Sequence, residues 1–171
     1  MTGLLWLSAH GGAGTTTLRR CVGFGTELSS VRAADPGSVV VVVARTDARG
    51  LKRAQQIAAL HADITSDRLL AGLVLVADAP ARLPKPLEDL ARLVSGAYTD
   101  TWLIPWQEDV RLGSPPDLAH APKVIRAMRD QLLFVLAERA KPPKALSAPA
   151  PDLRPVAAVS NTPHHLNGAT P

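Results

Sequence analysis

A single cysteine, Cys21, stands among 171 residues, which excludes an internal disulfide and any cysteine-based metal cluster. A reducing, cytoplasmic compartment is the simplest expectation. No apolar run reaches the roughly 18 residues that a membrane span requires. The start, from Met1 into GLLWLSA, carries neither a charged leader nor a signal-cleavage pattern. Charge of one sign is also scarce: 19 Lys and Arg face 15 Asp and Glu. Residues 1–140 are nearly balanced and hold no dense basic patch, so the charge gives nucleic-acid binding no support. Periodic apolar pattern is missing from residues 141–171, which are rich in Pro, Ala and Ser. The expectation is one domain over 1–140 followed by a disordered tail over 141–171.

What is present suffices for a core, since 46% of the chain is hydrophobic. Four apolar runs read as strands: residues 4–9, VVVVVA at 39–44, LLAGLVLVA at 69–77 and TWLIP at 101–105. Between and after them the spacing predicts helices over 15–28, 51–61 and 86–94, and a long one from Pro122 to Ala140. The first is weakened by Gly23 and Gly25, and SSVRAADPG after it reads as a linker. Leu51, Ala54, Gln55, Ala58 and Ala59 are expected along one side of the second helix. Val124, Ile125, Met128, Leu132, Val135 and Leu136 form the stripe of the last. Strands alternating with helices predict a three-layer α/β domain with a short, mostly parallel sheet. Four strands are few, so the domain is pared down or completed by a partner subunit.

The chemistry concentrates where the first strand meets the first helix, in SAHGGAGTTTL. Gly11, Gly12 and Gly14 permit left-handed backbone angles and clear side chains from the concave face, so successive N–H groups can converge on an anion. The helix start adds its own unpaired N–H groups and dipole. Thr15, Thr16 and Thr17 can cap the helix or offer hydroxyls to phosphate or magnesium. The phosphate-binding pattern GxxxxGK[ST] laid over Ala9–Thr16 finds alanine for its first glycine and Thr15 for its lysine, while Thr16 keeps the hydroxyl. A neutral threonine cannot neutralise the β- and γ-phosphates as lysine does.

HGGAGTTTL resembles the deviant Walker A turn KGGxGKTT of the ParA/MinD group of P-loop ATPases. The downstream order is similar too: a strand beginning at Gly72, then Ile104-Pro105-Trp106-Gln107-Glu108-Asp109-Val110 and Gly113-Ser114-Pro115-Pro116, like that group's IPxDxxV…GxP passage. The resemblance spans residues 3–137. It implies a P-loop NTPase-like fold, ATP or ADP with magnesium as ligand, Thr16 on the metal side, and Pro105 and Trp106 beside the base. It also places the group's signature lysine at His10 and its phosphate lysine at Thr15. The interval before Val39 is too short for the two strands that carry that group's catalytic and switch aspartates. The pattern is similar as well to an actinobacterial protein group of no assigned activity, with AHGGAGxTTL, VVVARTxARGL and a Trp-x-x-Pro-Trp segment.

Other candidates lie just past the strand ends, where ligands collect in open α/β sheets. His10 can contact phosphate, face a partner, or simply make a polar contact at the turn; a relay to Asp47 or Asp78 is one arrangement. Arg45-Thr46-Asp47-Ala48-Arg49-Gly50 offers two guanidinium groups and a carboxylate, or is a helix start with Asp47 as cap. Asp47 is the nearest carboxylate for magnesium, though the resemblance does not carry that role to it. Asp78 heads ADAPARLPKP, stiffened by Pro80, Pro84 and Pro86 and carrying Arg82 and Lys85. The expected function is a non-catalytic or very weakly catalytic P-loop-like protein. It would bind a nucleotide or other anion through Ala13 and its neighbours and act as a regulator or scaffold through a homodimer or protein partner. One alternative is an interaction module without ligand. Another is an NTPase completed by a lysine from elsewhere, such as Lys52 or Lys85. Nucleic acid enters by family analogy alone.

Overall fold

The computed structural model describes residues 3–62, 69–114 and 117–141. Five strands run parallel in the order β2-β1-β3-β4-β5: β1 (Leu4–Ser8), β2 (Thr26–Leu28), β3 (Val39–Arg45), β4 (Leu69–Val76) and β5 (Asp100–Ile104). The helices are α1 (Thr15–Val22), α2 (Ala48–Ala62), α3 (Lys85–Ser95), the short α4 (Glu108–Arg111) and α5 (Lys123–Ala140).

The valine run explains the layering. Strand β3 is central, paired with β1 on one side and β4 on the other, so both of its faces must be apolar. Val39, Val41 and Val43 face the layer of α1 and α5, where Leu18, Val22, Met128 and Leu132 are buried. Val40, Val42 and Ala44 face Leu51 and Ala54 of α2 and Ala91 and Val94 of α3. The α/β class and parallel sheet expected from the sequence are what the chain forms. Each fully buried Leu or Met contributes about 1.5–3 kcal/mol over its exposed state, and Met128 and Leu132 make α5 the cover of the sheet's first face.

The first helix and the segment after it depart from expectation in two ways. Helix α1 stops at Val22 rather than continuing to Leu28. Gly23 takes φ 88° and returns its N–H to Arg19 O, the left-handed termination that glycine supports. Gly25, at φ 93°, lies under Trp6: a Cβ there would stand 2.4 Å from Trp6 Nε1. The chain then enters β2, which pairs Thr26, Glu27 and Leu28 with Leu5, Trp6 and Leu7. The interval before Val39 thus contains one edge strand and a 3-10 turn at Val31–Ala33, not a bare linker.

In α2 the buried side is Gly50, Leu51 and Ala54, with Ile57 and Ala58 half-buried; Gln55 and Ala59 are exposed. The stripe follows the 3.6-residue period from Leu51 through Ala54 and Ala58, and Gln55 and Ala59 fall one step past it. The stripe of α5 is as expected, with Ile125, Met128 and Leu132 buried. The tail after Lys141, including His164 and His165, and the pair Pro115-Pro116 lie outside the described residues. No described helix is long and apolar enough to cross a membrane.

Candidate functional site

The sheet order reverses between β1 and β3, since β2 lies on one side of β1 and β3 on the other. In open α/β sheets the crevice beyond the strand ends at such a reversal is where ligands bind. A cavity of about 790 Å³ occupies that place, walled by the ends of β1, β3, β4 and β5 and by the start of α1.

The glycine turn supplies its floor. Gly12 at φ 80° and Gly14 at φ 95° take left-handed angles that other residues adopt only with strain. Ser8 Oγ donates to His10 O at 2.6 Å, and Ala13 N–H donates to the same carbonyl at 3.3 Å. The helix ladder opens with Leu18 N–H to Gly14 O at 2.9 Å. No described residue accepts from the N–H groups of Thr15, Thr16 or Thr17. Every helix leaves its first N–H groups unpaired; here the residues that carry them border a cavity. Thr15 is buried, at 5% exposed, and its Oγ1 has no hydrogen-bond partner among the described residues.

Beside them lies a carboxylate that the sequence pattern did not single out. Glu27, on β2, accepts from Thr16 Oγ1 at 3.0 Å and from Arg19 Nε at 3.0 Å. It was hidden because residues 26–28 read as the end of a helix; the Gly23-Phe24-Gly25 break was the available signal. No group of three His, Cys, Asp or Glu among the described residues can hold a metal ion. The Thr16 hydroxyl and Glu27 carboxylate do fit a magnesium that arrives with phosphate oxygens, since that ion commonly takes one or two protein carboxylates beside substrate oxygens.

The end of β3 reaches into the turn. Arg45 donates from Nε to Gly12 O at 2.9 Å and from Nη1 to Asp78 Oδ1 at 3.2 Å. His10 Nε2 accepts the Arg45 backbone N–H at 3.3 Å while its Nδ1 lies 2.9 Å from Gly11 O. Both contacts are made together by the tautomer with its proton on Nδ1. His10 therefore braces the turn to β3 and does not line the cavity. Asp47 caps α2, its Oδ1 accepting Gly50 N–H at 2.7 Å. Asp78 N–H donates to Thr46 Oγ1 at 3.1 Å. No relay links His10 directly to either carboxylate: Asp47 serves the helix, and Arg45 stands between His10 and Asp78.

The far wall is Pro105 and Trp106 after β5, then Asp109 and Arg111 of α4. Trp106 is half-buried, its Nε1 donating to Glu108 Oε2. Trp102, buried one strand residue from Leu103, donates to Gln131 Oε1 at 3.2 Å and belongs to the core. Asp117 and His120 close the rim, 2.6 Å apart. The Ala119 N–H and then His120 hold the Asp117 carboxyl below its usual range. Burial, reinforced by Asp117, pushes the Cys21 thiol up.

Of the residues singled out from sequence, Gly12, Ala13, Gly14, Thr15, Thr16, Thr17, Pro105 and Trp106 border one cavity. His10, Gly11, Asp47 and Asp78 do not border it, Gly11 being exposed at the turn. Lys52 and Lys85 do not border it; Lys85 pairs with Asp89 on α3.

A parallel three-layer α/β domain with a glycine turn at the reversal of strand order is consistent with a P-loop-like architecture. Residues 3–128 match the model of a family of unknown function (DUF6668), and the chain belongs to that family. No curated protein and no solved structure matches it.

Proposed function

We propose that this domain binds a di- or triphosphate, ATP or ADP first among them, and does not hydrolyse it unaided. The observation that carries the reading is the cavity at the strand ends, bordered by Thr15, Thr16 and Thr17, whose N–H groups no described residue accepts. Such groups favour negative charge, and about 790 Å³ falls within the usual range for small-molecule sites. Trp106 and Pro105 would border a base, and Thr16 with Glu27 would face the magnesium that such a ligand brings. The ParA/MinD resemblance of the turn supports the same ligand. Catalysis is disfavoured because Thr15 brings no charge to the β- and γ-phosphates and no lysine among the described residues borders the cavity. The output is then regulatory or scaffolding, through a second copy or a protein partner.

Titration of ATP and ADP with magnesium, followed by tryptophan fluorescence and thermal shift, tests this. Trp106 should report binding in the micromolar to millimolar range; a flat response up to millimolar ligand removes the reading. Gly14→Val, which forces a β-branched residue to φ 95°, should abolish binding while far-UV circular dichroism stays that of the parent.

A second reading has one observation in its favour. Thr16 and Arg45 already have internal partners, Glu27 and the Gly12 carbonyl, as in an interaction module that kept the turn without a ligand. The flat titration is its expected result.

A further inference from the structure

We infer that Arg45 is the cation of this site and that Asp78 competes with the ligand for it. The inference rests on the anion-binding reading above and assigns its charge partner. The glycine turn carries no lysine, yet a guanidinium from the neighbouring strand lies against Gly12 and borders the cavity. Arginine has five N–H donors in a rigid fork. Arg45 spends Nε on the Gly12 carbonyl and Nη1 on Asp78, and no described residue accepts from Nη2. Its side chain is 20% exposed, so the charge is partly shielded from water, and Arg45 borders the same cavity as Thr15 and Thr16.

Asp78 is the weaker holder of that charge. Its side chain is 49% exposed, and an ion pair of that exposure is readily exchanged. A pyrophosphate group presents more charge and a geometry that takes two parallel N–H donors. Binding therefore transfers Nη1 from Asp78 to phosphate while Nε stays on Gly12, and Asp78 is released except for its backbone bond to Thr46. The segment Asp78 heads, through Pro80 to Pro84, is where occupancy would be felt.

The test measures inorganic pyrophosphate and ADP binding by calorimetry in the whole chain and in Arg45→Gln, Asp78→Asn and the double variant. Arg45→Gln should weaken both ligands by about tenfold or more, as loss of a charged hydrogen-bond donor does. Asp78→Asn should tighten them by about threefold, the scale of an exposed ion pair, and should do nothing in the Arg45→Gln background. A purely structural contact predicts weakening from both single changes. Should Arg45→Gln not fold, Asp78→Asn decides alone: unchanged or weaker binding overturns the inference. Absence of binding to the parent chain refutes the anion reading itself. Parent-like affinity in Arg45→Gln refutes only the assignment made here.

Discussion

Gly50→Ala sets two ordinary effects against each other, and the structure says which wins. Gly50 is in the first turn of α2, buried, without the left-handed angle that would demand glycine. Exchanging glycine for alanine inside a helix normally stabilises it by about 1 kcal/mol. Here the added Cβ would stand 2.3 Å from Arg45 O, 2.9 Å from Arg45 N and 2.9 Å from His10 Nε2. Ordinary carbon–oxygen contact is about 3.3 Å or more, so roughly 1 Å of movement is required. The two nearest obstructing atoms are backbone of Arg45, the last residue of the central strand, which is paired with Val76 of β4. Its N–H is held by the third obstructing atom, His10 Nε2. Helix α2 must retreat, loosening Leu51 and Ala54 from the core. Overpacking of this kind costs about 1–3 kcal/mol, and the rigid obstacle argues for the upper part of that range. Net destabilisation of about 2 kcal/mol remains after the propensity gain, or a fall in melting temperature of about 4–8 °C at this chain length. Thermal unfolding by circular dichroism measures it. Gly96→Ala is the control, with φ −64° and a nearest contact of 3.4 Å, and should change stability by less than about 0.5 kcal/mol. A Gly50→Ala chain melting at or above the parent would refute the packing of α2 on β3 described above.

Asp47→Ala removes the cap on α2 and should cost about 1 kcal/mol in denaturant unfolding; affinity for ADP should not change, because Asp47 does not border the cavity. Tyr98 Oη donates to the buried Ala54 carbonyl at 2.6 Å, so Tyr98→Phe should lose about 1–2 kcal/mol. Burial pushes that hydroxyl well above its ordinary 10.0. Its stabilising contribution is complete below pH about 10 and is lost as pH rises beyond, because the unfolded chain releases the proton first. Tyr98→Phe should therefore lessen the alkaline fall in stability seen in urea titrations across that range. Leu132→Ala, in the fully buried part of α5, should cost about 2–5 kcal/mol by the same measurement.

The fold was legible wherever a strand was long and apolar. The valine run, LLAGLVLV and the stretch stopped by Pro105 each announce themselves by β-branched content and punctuation. Strand β2 was not legible, because Thr26-Glu27-Leu28 is too short to display a period and mostly faces water. Its place is set by Gly25 passing under Trp6, a contact between residues far apart in the sequence. The same limit governs the site. Gly11–Thr17 could be read as a turn because its residues are contiguous. Glu27 against Thr16, and Arg45 against Gly12, are products of strand order, which local pattern does not encode. Asp47 and Asp78 were rightly noticed as residues at strand ends, yet their work is to cap α2 and to hold Arg45.

Cys21 gives the cavity a clock. The thiol is the sole one in the chain, lies buried on α1 at the cavity wall, and is kept protonated by burial and by Asp117 across from it. Only the thiolate attacks alkylating reagents, so modification at neutral pH requires a fluctuation that exposes this buried thiol to water and reagent. The labelling rate of the folded chain then counts those openings, one mass increment per molecule. A ligand seated in the cavity against Cys21 would slow the count without any signal of its own.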